Sequence, residues 1–318
     1  MKIRIFFPCL ALFLFVSSAA SEESCPVNQS CIKPKPDDSL LTSHEPITVG
    51  YTKDSDDVPF MDFRLSLRYR LAKDTVKAVL DWSGLDGDNN AFFFAFSGRF
   101  GQYIGTRDSS PVIAKRFNPN FFARHWTDKK NDAYIDFTFI GHESNGQSIN
   151  TLQQYQQAQN SAERAEFAND SLSRGWDYLE VVRKDVYVSD TEPSDFTTYL
   201  KLKYFLRHGL LQGSPEEYNS WENNPEGKSR NRVNGIGGIV KYRLCRCWND
   251  YFSDLKIAGA FETGYREAFR YNTYRGAIGV KIFEVPITLW VQAGYGSDLA
   301  QYYKKVSSLG IQVEIGSF

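Results

Sequence analysis

Beyond residue 20, the 318-residue chain lacks any uninterrupted apolar run of the ~18 residues that a membrane-spanning helix requires. A helical membrane protein is thereby excluded. An excess of charge is lacking too: 37 Lys and Arg stand against 38 Asp and Glu, which gives no reason to expect nucleic acid as a partner. Cysteine is sparse at five and histidine sparser at four, so catalytic histidines have few candidates. The Gly-x-Ser-x-Gly elbow of soluble hydrolases does not occur. Aromatics are plentiful, with 24 Phe, 18 Tyr and 6 Trp making 15% of the chain. With charged residues at 24%, that rules out a disordered polymer. A polar average combined with many aromatics suits either a soluble β protein or a transmembrane β-barrel.

Residues 1–20 stand apart. Lys2 and Arg4 precede the apolar stretch Ile5 to Val16, and Ser18-Ala19-Ala20 follow as small residues. This order predicts a secretory signal peptide, too short to span a membrane. Its removal would take Cys9, leaving Cys25, Cys31, Cys245 and Cys247, an even number in an exported chain. Cys25 and Cys31 close a short loop and are the favoured pair. No His lies near either pair at zinc-ligand spacing, so these cysteines read as structural or free, not metal-binding. Residues 21–56, rich in Ser, Pro and Asp, read as a flexible N-terminal extension.

From residue 57 to 318 the period changes to two. Phe63, Leu65, Leu67 and Tyr69 alternate with Arg64, Ser66, Arg68 and Arg70. The pattern returns as Leu200, Leu202 and Tyr204 against Lys201 and Lys203, and as Ile287, Leu289 and Val291 against Thr288 and Gln292. Strands with one charged face and one apolar, aromatic face fit a membrane barrel that is polar inside and lipid-facing outside. A soluble sandwich would turn the apolar faces inward, and alternation alone does not separate the two. The signal peptide, the aromatic load and the terminal Phe318 after Leu309, Ile311, Val313 and Ile315 favour the outer-membrane barrel. Gln153 to Ala168 breaks the pattern and predicts a short surface helix in a long loop.

His142 alone among the histidines has a serine two residues away, in Gly141-His142-Glu143-Ser144-Asn145-Gly146. Residues i and i+2 of a strand share a face, so the imidazole can take the Ser144 proton. Asn145-Gly146 can turn backbone amides toward an oxyanion. Strict alternation puts His142 and Ser144 on the face of Asp136 and Thr138, opposite Ile135, Phe137 and Phe139. Either a bulge near Ile140-Gly141 shifts the phase, or the lumen takes aromatics here.

The run His142-Glu143-Ser144-Asn145-Gly146-Gln147-Ser148 resembles the His-x-Ser-Asn-Gly signature of the outer membrane phospholipase A family. Ser173-Arg174-Gly175-Trp176-Asp177 is similar to the family's Ser-Arg-x-Trp-Asn motif. Asp108-Ser109-Ser110-Pro111 resembles its Ser-Ser-Pro loop, and Gly294-Tyr295-Gly296-Ser297 with Tyr302 and Gly310-Ile311 its last hairpin. The resemblance spans roughly residues 57–318 and implies a twelve-stranded antiparallel barrel in the outer membrane of a Gram-negative bacterium. It implies a calcium-dependent hydrolase of glycerophospholipid and lysophospholipid esters, active as a homodimer. Ser144 would be the nucleophile, His142 the base, Asp177 the residue that orients it and the Gly146 amide the oxyanion donor. The family has Asn where this chain has Asp177. A carboxylate accepts the imidazole N–H as an amide carbonyl does and adds charge that stabilises the imidazolium. Asp170 and Asn169 are the alternatives for this role. Calcium ligands would be the Ser173 hydroxyl, the Gln147 carbonyl and, from a second subunit, the Ser109 carbonyl, all hard oxygen donors. The rival expectations are a passive porin-like barrel and a soluble lipid-binding barrel.

Overall fold

The computed structural model describes residues 39–315, apart from Leu85, 162–164, 212–223, Pro225 and Asp250. The expected leader, the Cys25–Cys31 pair and Phe318 lie outside the described residues. One antiparallel sheet of thirteen strands closes on itself, β13 (Val306–Ile315) pairing with β2 (Ile47–Asp54). β1 (Leu41–Ser43) and β2 are two halves of one barrel strand, because both pair with β3 (Phe60–Arg70) along its length. Pro46 separates them. It has no N–H for the ladder, and the register steps there from Ser43↔Leu67 to Thr48↔Arg64. The barrel therefore has twelve staves, as expected. The flexible extension expected over 21–56 is corrected in its last part: residues 41–43 and 47–54 are strand, and Ser- and Pro-based reading missed them because their apolar positions are thinly spread.

The remaining staves follow in chain order, each paired with its sequence neighbour: β4 (Asn90–Gln102), β5 (Val112–Asp128), β6 (Ala133–Ser144), β7 (Gly175–Val188), β8 (Ser194–Phe205), β9 (Gly235–Cys247), β10 (Phe252–Gly264), β11 (Thr273–Ile282) and β12 (Val285–Gly294). One end carries the long connections, including the 145–174 segment, and the other mostly tight turns. Helix α1 (Lys73–Trp82) lies at the tight-turn end. Helix α2 (Leu152–Gln159) forms within the expected Gln-rich insertion, where Thr151 and Gln154 make a capping box.

The direction in which the side chains point excludes a soluble barrel. Leu200, Leu202 and Leu289 are each more than half exposed, whereas Lys203 and Thr288, on the alternate face, are buried. The lumen is filled with paired charges: Arg124 holds Asp136, Arg99 holds Asp62, and Lys256 holds Glu314. Apolar groups outside and charges inside are stable only if the outside meets lipid. The long-loop end is closed from within by Trp176, Tyr178, Phe205, Leu299, Tyr302 and Tyr303, which pack as one cluster. Cys245 and Cys247 each take part in a disulfide, so of the two expectations for them, structural or free, the structural one holds.

Candidate active site

The long-loop ends of β6 and β7 pair His142 with Asp177 and Ser144 with Gly175. His142 Nδ1 lies 2.6 Å from Asp177 Oδ1. Ser144 is two residues along the same face. A Cβ on Gly175 would sit 3.4 Å from His142 Cε1 and 3.6 Å from Ser144 Cβ, so the missing side chain leaves room for both. The contact at Nδ1 turns Nε2 away from Asp177, the arrangement needed for a base that serves a hydroxyl.

The phase conflict in β6 is resolved by a bulge. The register with both neighbours shifts after Thr138, and Phe139 and Ile140 are both exposed on the outer wall. Gly141 then faces inward beneath the Tyr178 ring, which leaves no room for a Cβ. Glu143 points into the lumen at 1% exposure, where Arg230 Nε donates to it at 2.7 Å. His142 and Ser144 are consequently on the lipid side. Aromatics also enter the lumen, at the other end, where Phe93, Phe122, Trp126 and Tyr134 pack around the Arg124 guanidinium.

Asp177 faces outward with Leu179 and Val181, yet it is buried because the 206–211 loop covers it. Leu211 N–H donates to its second oxygen at 2.7 Å, and Leu206 N–H donates to its backbone carbonyl at 2.8 Å. Gly209 passes so close that a Cβ there would overlap the carboxylate. Asp170 and Asn169 are engaged elsewhere, Asp170 with Arg107 at 2.6 Å and Asn169 with the Tyr155 hydroxyl at 2.6 Å.

Asn145 is fully buried and clamps the loop after Ser144. Its Nδ2 donates to the Leu172 carbonyl at 2.7 Å, and its Oδ1 accepts from Arg174 N–H at 2.9 Å. The clamp sets Gly146 on the surface with φ 61°, a left-handed conformation that costs glycine little. Gln147 and Ser173 flank the same clamp, since Ile149 N–H donates to the Ser171 carbonyl and Ser173 N–H to the Ile149 carbonyl. Ser109 is exposed on the β4–β5 loop, also left-handed at φ 60°. That loop is tied down by Arg107, which spans Asp57 at 2.7 Å and Asp170 at 2.6 Å. Burial pushes the Asp57 carboxyl up, but hydrogen bonds from Tyr103 and Arg107 and the charge of Lys115 outweigh it and hold the group below the ordinary range. Burial likewise raises the Tyr103 phenol.

Sequence reasoning missed Phe117, Gly209 and Leu211. Phe117 is the β5 partner of Ser144, and its ring lies against Gly146 and between Phe96 and Phe100 on the outer wall. No local signal marks these residues, because each meets the site through a strand pairing or a loop that folds back. Among the described residues, no group of three or more His, Cys, Asp or Glu comes together to hold a metal.

Neither a protein-family model nor a curated protein sequence matches the chain. Solved structures do. Outer membrane phospholipase A from Escherichia coli matches with TM-score 0.57 and 16% identity over 88% of this chain and 100% of that one. An active-site Asn-to-Ala variant of that enzyme matches with TM-score 0.58 and 15% identity over 87% and 92% of the two chains. The Salmonella typhi outer membrane phospholipase dimer with bound calcium matches with TM-score 0.58 and 16% identity over 88% and 94%. At such identities the likeness is one of fold, and it makes this chain a twelve-stranded barrel of the outer-membrane type, similar in fold to outer membrane phospholipase A.

Proposed function

We propose that the protein is an outer-membrane phospholipase that hydrolyses acyl esters of glycerophospholipids and lysophospholipids at its lipid-facing wall. The observation that carries this reading is the His142–Asp177 contact beside Ser144, held on the outer face by a bulge in β6. In this reading Ser144 Oγ attacks the ester carbonyl carbon, and His142 Nε2 takes the hydroxyl proton. Asp177 accepts the Nδ1 proton's hydrogen bond and stabilises the imidazolium. The Gly146 amide donates to the oxyanion. Collapse of the tetrahedral intermediate breaks the ester C–O bond. The leaving alkoxide takes the proton from His142, and water then cleaves the acyl-enzyme by the same steps in reverse order. Phe117, Phe96 and Phe100 supply an apolar wall for the acyl chains next to Ser144.

The residues present fit calcium as a weak ligand set. Gln147 and Ser173 flank one rigid clamp, and Ser109 is presented on an anchored, exposed loop suited to meeting a second copy of the chain. Hydroxyl and carbonyl oxygens without a carboxylate bind a hard cation weakly. Calcium bound there would supply positive charge to the ester oxygen. Its dependence on a second copy makes the active form a homodimer, in keeping with the calcium-bound dimer seen for the Salmonella protein.

A porin-like role is disfavoured by the aromatic cluster and the ion pairs that fill the lumen. The test is fatty-acid release by detergent-solubilised wild type and Ser144→Ala, with calcium and with chelator. Release by wild type that vanishes in the variant and falls with chelator is the expected result. Undiminished release by Ser144→Ala would overturn the proposal.

A further inference from the structure

The lumen carries a second feature that the chemistry at Ser144 does not use. A cavity of ≈ 180 Å³ inside the barrel is lined by Arg64, Arg99, Arg116 and Arg275, with only Glu45 and Glu262 as carboxylates in its wall. Glu262 is bonded to Lys201 and Arg99 to Asp62, both just behind the wall, and these two added charges cancel. The cavity wall itself therefore carries four guanidiniums against two carboxylates.

The arginines differ in how well they are satisfied. Arg99 is fully engaged, with a forked contact to Asp62 and a further bond to the Ser297 carbonyl at 2.5 Å. Arg275 has no ion pair with a carboxylate among the described residues, and its guanidinium carbon sits over the Trp290 ring, 4.2 Å from its centre. Among the described residues, Arg116 donates a hydrogen bond to the Gly296 carbonyl, at 3.5 Å, and forms no ion pair. Arg64 meets Asp62 at 3.4 Å with one nitrogen, and its Nε is buried without a hydrogen-bond partner among the described residues. Half-buried guanidiniums short of protein acceptors, facing a shared cavity, favour an anion that supplies them.

We propose that this cavity is a binding site for a small oxyanion of the phosphate class. Planar guanidinium forks match the oxygens of a tetrahedral anion, and Trp290 fixes Arg275 in place while leaving its edge to donate. Two sources share this chemistry, free inorganic phosphate and the phosphodiester of a fully deacylated, water-soluble lipid headgroup. The site stands apart from Ser144 and is independent of the catalytic reading.

The experiment uses the folded full chain carrying Ser144→Ala, in a maltoside detergent that contains no phosphate. Binding of inorganic phosphate and of glycerophosphocholine is measured by calorimetry and by the shift in thermal unfolding, which a ligand bound only to the folded state must raise. The expected result is saturable binding that weakens with salt. It should fall about tenfold or more in Arg275→Gln, the scale of one charged hydrogen bond, and be largely kept in Arg275→Lys. Heat-resistant migration on gels verifies that each variant is folded. Tighter binding of the diester assigns the site to the headgroup, and tighter binding of phosphate assigns it to the free ion. Absence of binding by both probes, or equal affinity in folded Arg275→Gln, overturns the proposal.

Discussion

At the scale of single residues, the carboxylate of Asp177 meets a second donor in the loop that covers it. Both carboxylate oxygens face N–H groups, one from His142 and one from Leu211. An amide has only one acceptor oxygen, so Asn here would set its NH₂ against one of those donors. Asp177→Asn is therefore expected to lower kcat by roughly ten- to a hundredfold, and Asp177→Ala by roughly 10²–10⁴. Fatty-acid release on folded protein checks both, and a fully active Asp177→Asn would show that the Leu211 bond is dispensable. Gly209→Ala should resemble Asp177→Ala in activity, because its Cβ would lie 2.0 Å from the Asp177 oxygen and must displace it. Its barrel should unfold at the wild-type temperature, since the clash is confined to a surface loop.

At the scale of elements, the bulge at Phe139–Ile140 decides whether β6 can carry a lipid-facing site at all. One residue of register exchanges the two faces of a strand. Deleting Phe139 and Ile140 together, which removes the bulge and leaves strict alternation, should turn His142 and Ser144 into the lumen and push Glu143 toward lipid, leaving the Arg230 charge unpaired. Loss of a buried partner of that kind costs about 3–5 kcal/mol. The deletion is expected to abolish fatty-acid release and lower the unfolding midpoint. Ile140→Ala, which keeps the count of residues, should retain activity within about tenfold. Equal activity in the deletion and the substitution would refute the register argument. The same element shows why alternation alone misplaced the site: a bulge is an insertion in the pairing, and pairing is invisible until both partner strands are known.

At the scale of the molecule, the long-loop end is held together by charges whose strength depends on pH. Asp57 is held below the ordinary carboxylate range in the fold, so its contribution is complete above an unfolded carboxylate's pKa of ~4. It is lost as pH falls below that value and through the lowered folded one. Acidification from about pH 7 to below the lowered folded value should therefore release the 103–111 loop that presents Ser109, while the strands stay protected. Hydrogen exchange of the loop amides measures this, and Asp57→Asn should show the loose loop already at neutral pH. Equal protection at both pH values would exclude Asp57 as the anchor.

Much of this was legible in the order of residues. The two-residue period of Leu200 to Tyr204 and Ile287 to Val291 determined strands with one charged and one apolar face, and the spacing of His142 and Ser144 determined that their side chains could meet. The Gln-rich break determined a helical insertion, because helix preference and N-capping are local. What the tertiary structure alone decided was which way each face points at a given depth. The Phe139–Ile140 bulge set His142 outward, the kink at Pro46 joined β1 and β2 into one stave, and the β6–β7 pairing brought Asp177 to His142 while Asp170 met Arg107. Local steric and hydrophobic preferences act within a few residues and can be read in order. The orientation of the site, the acceptor-poor cavity at Arg275 and the cover over Asp177 arise from contacts between residues far apart in the chain, and exist only once the barrel has closed.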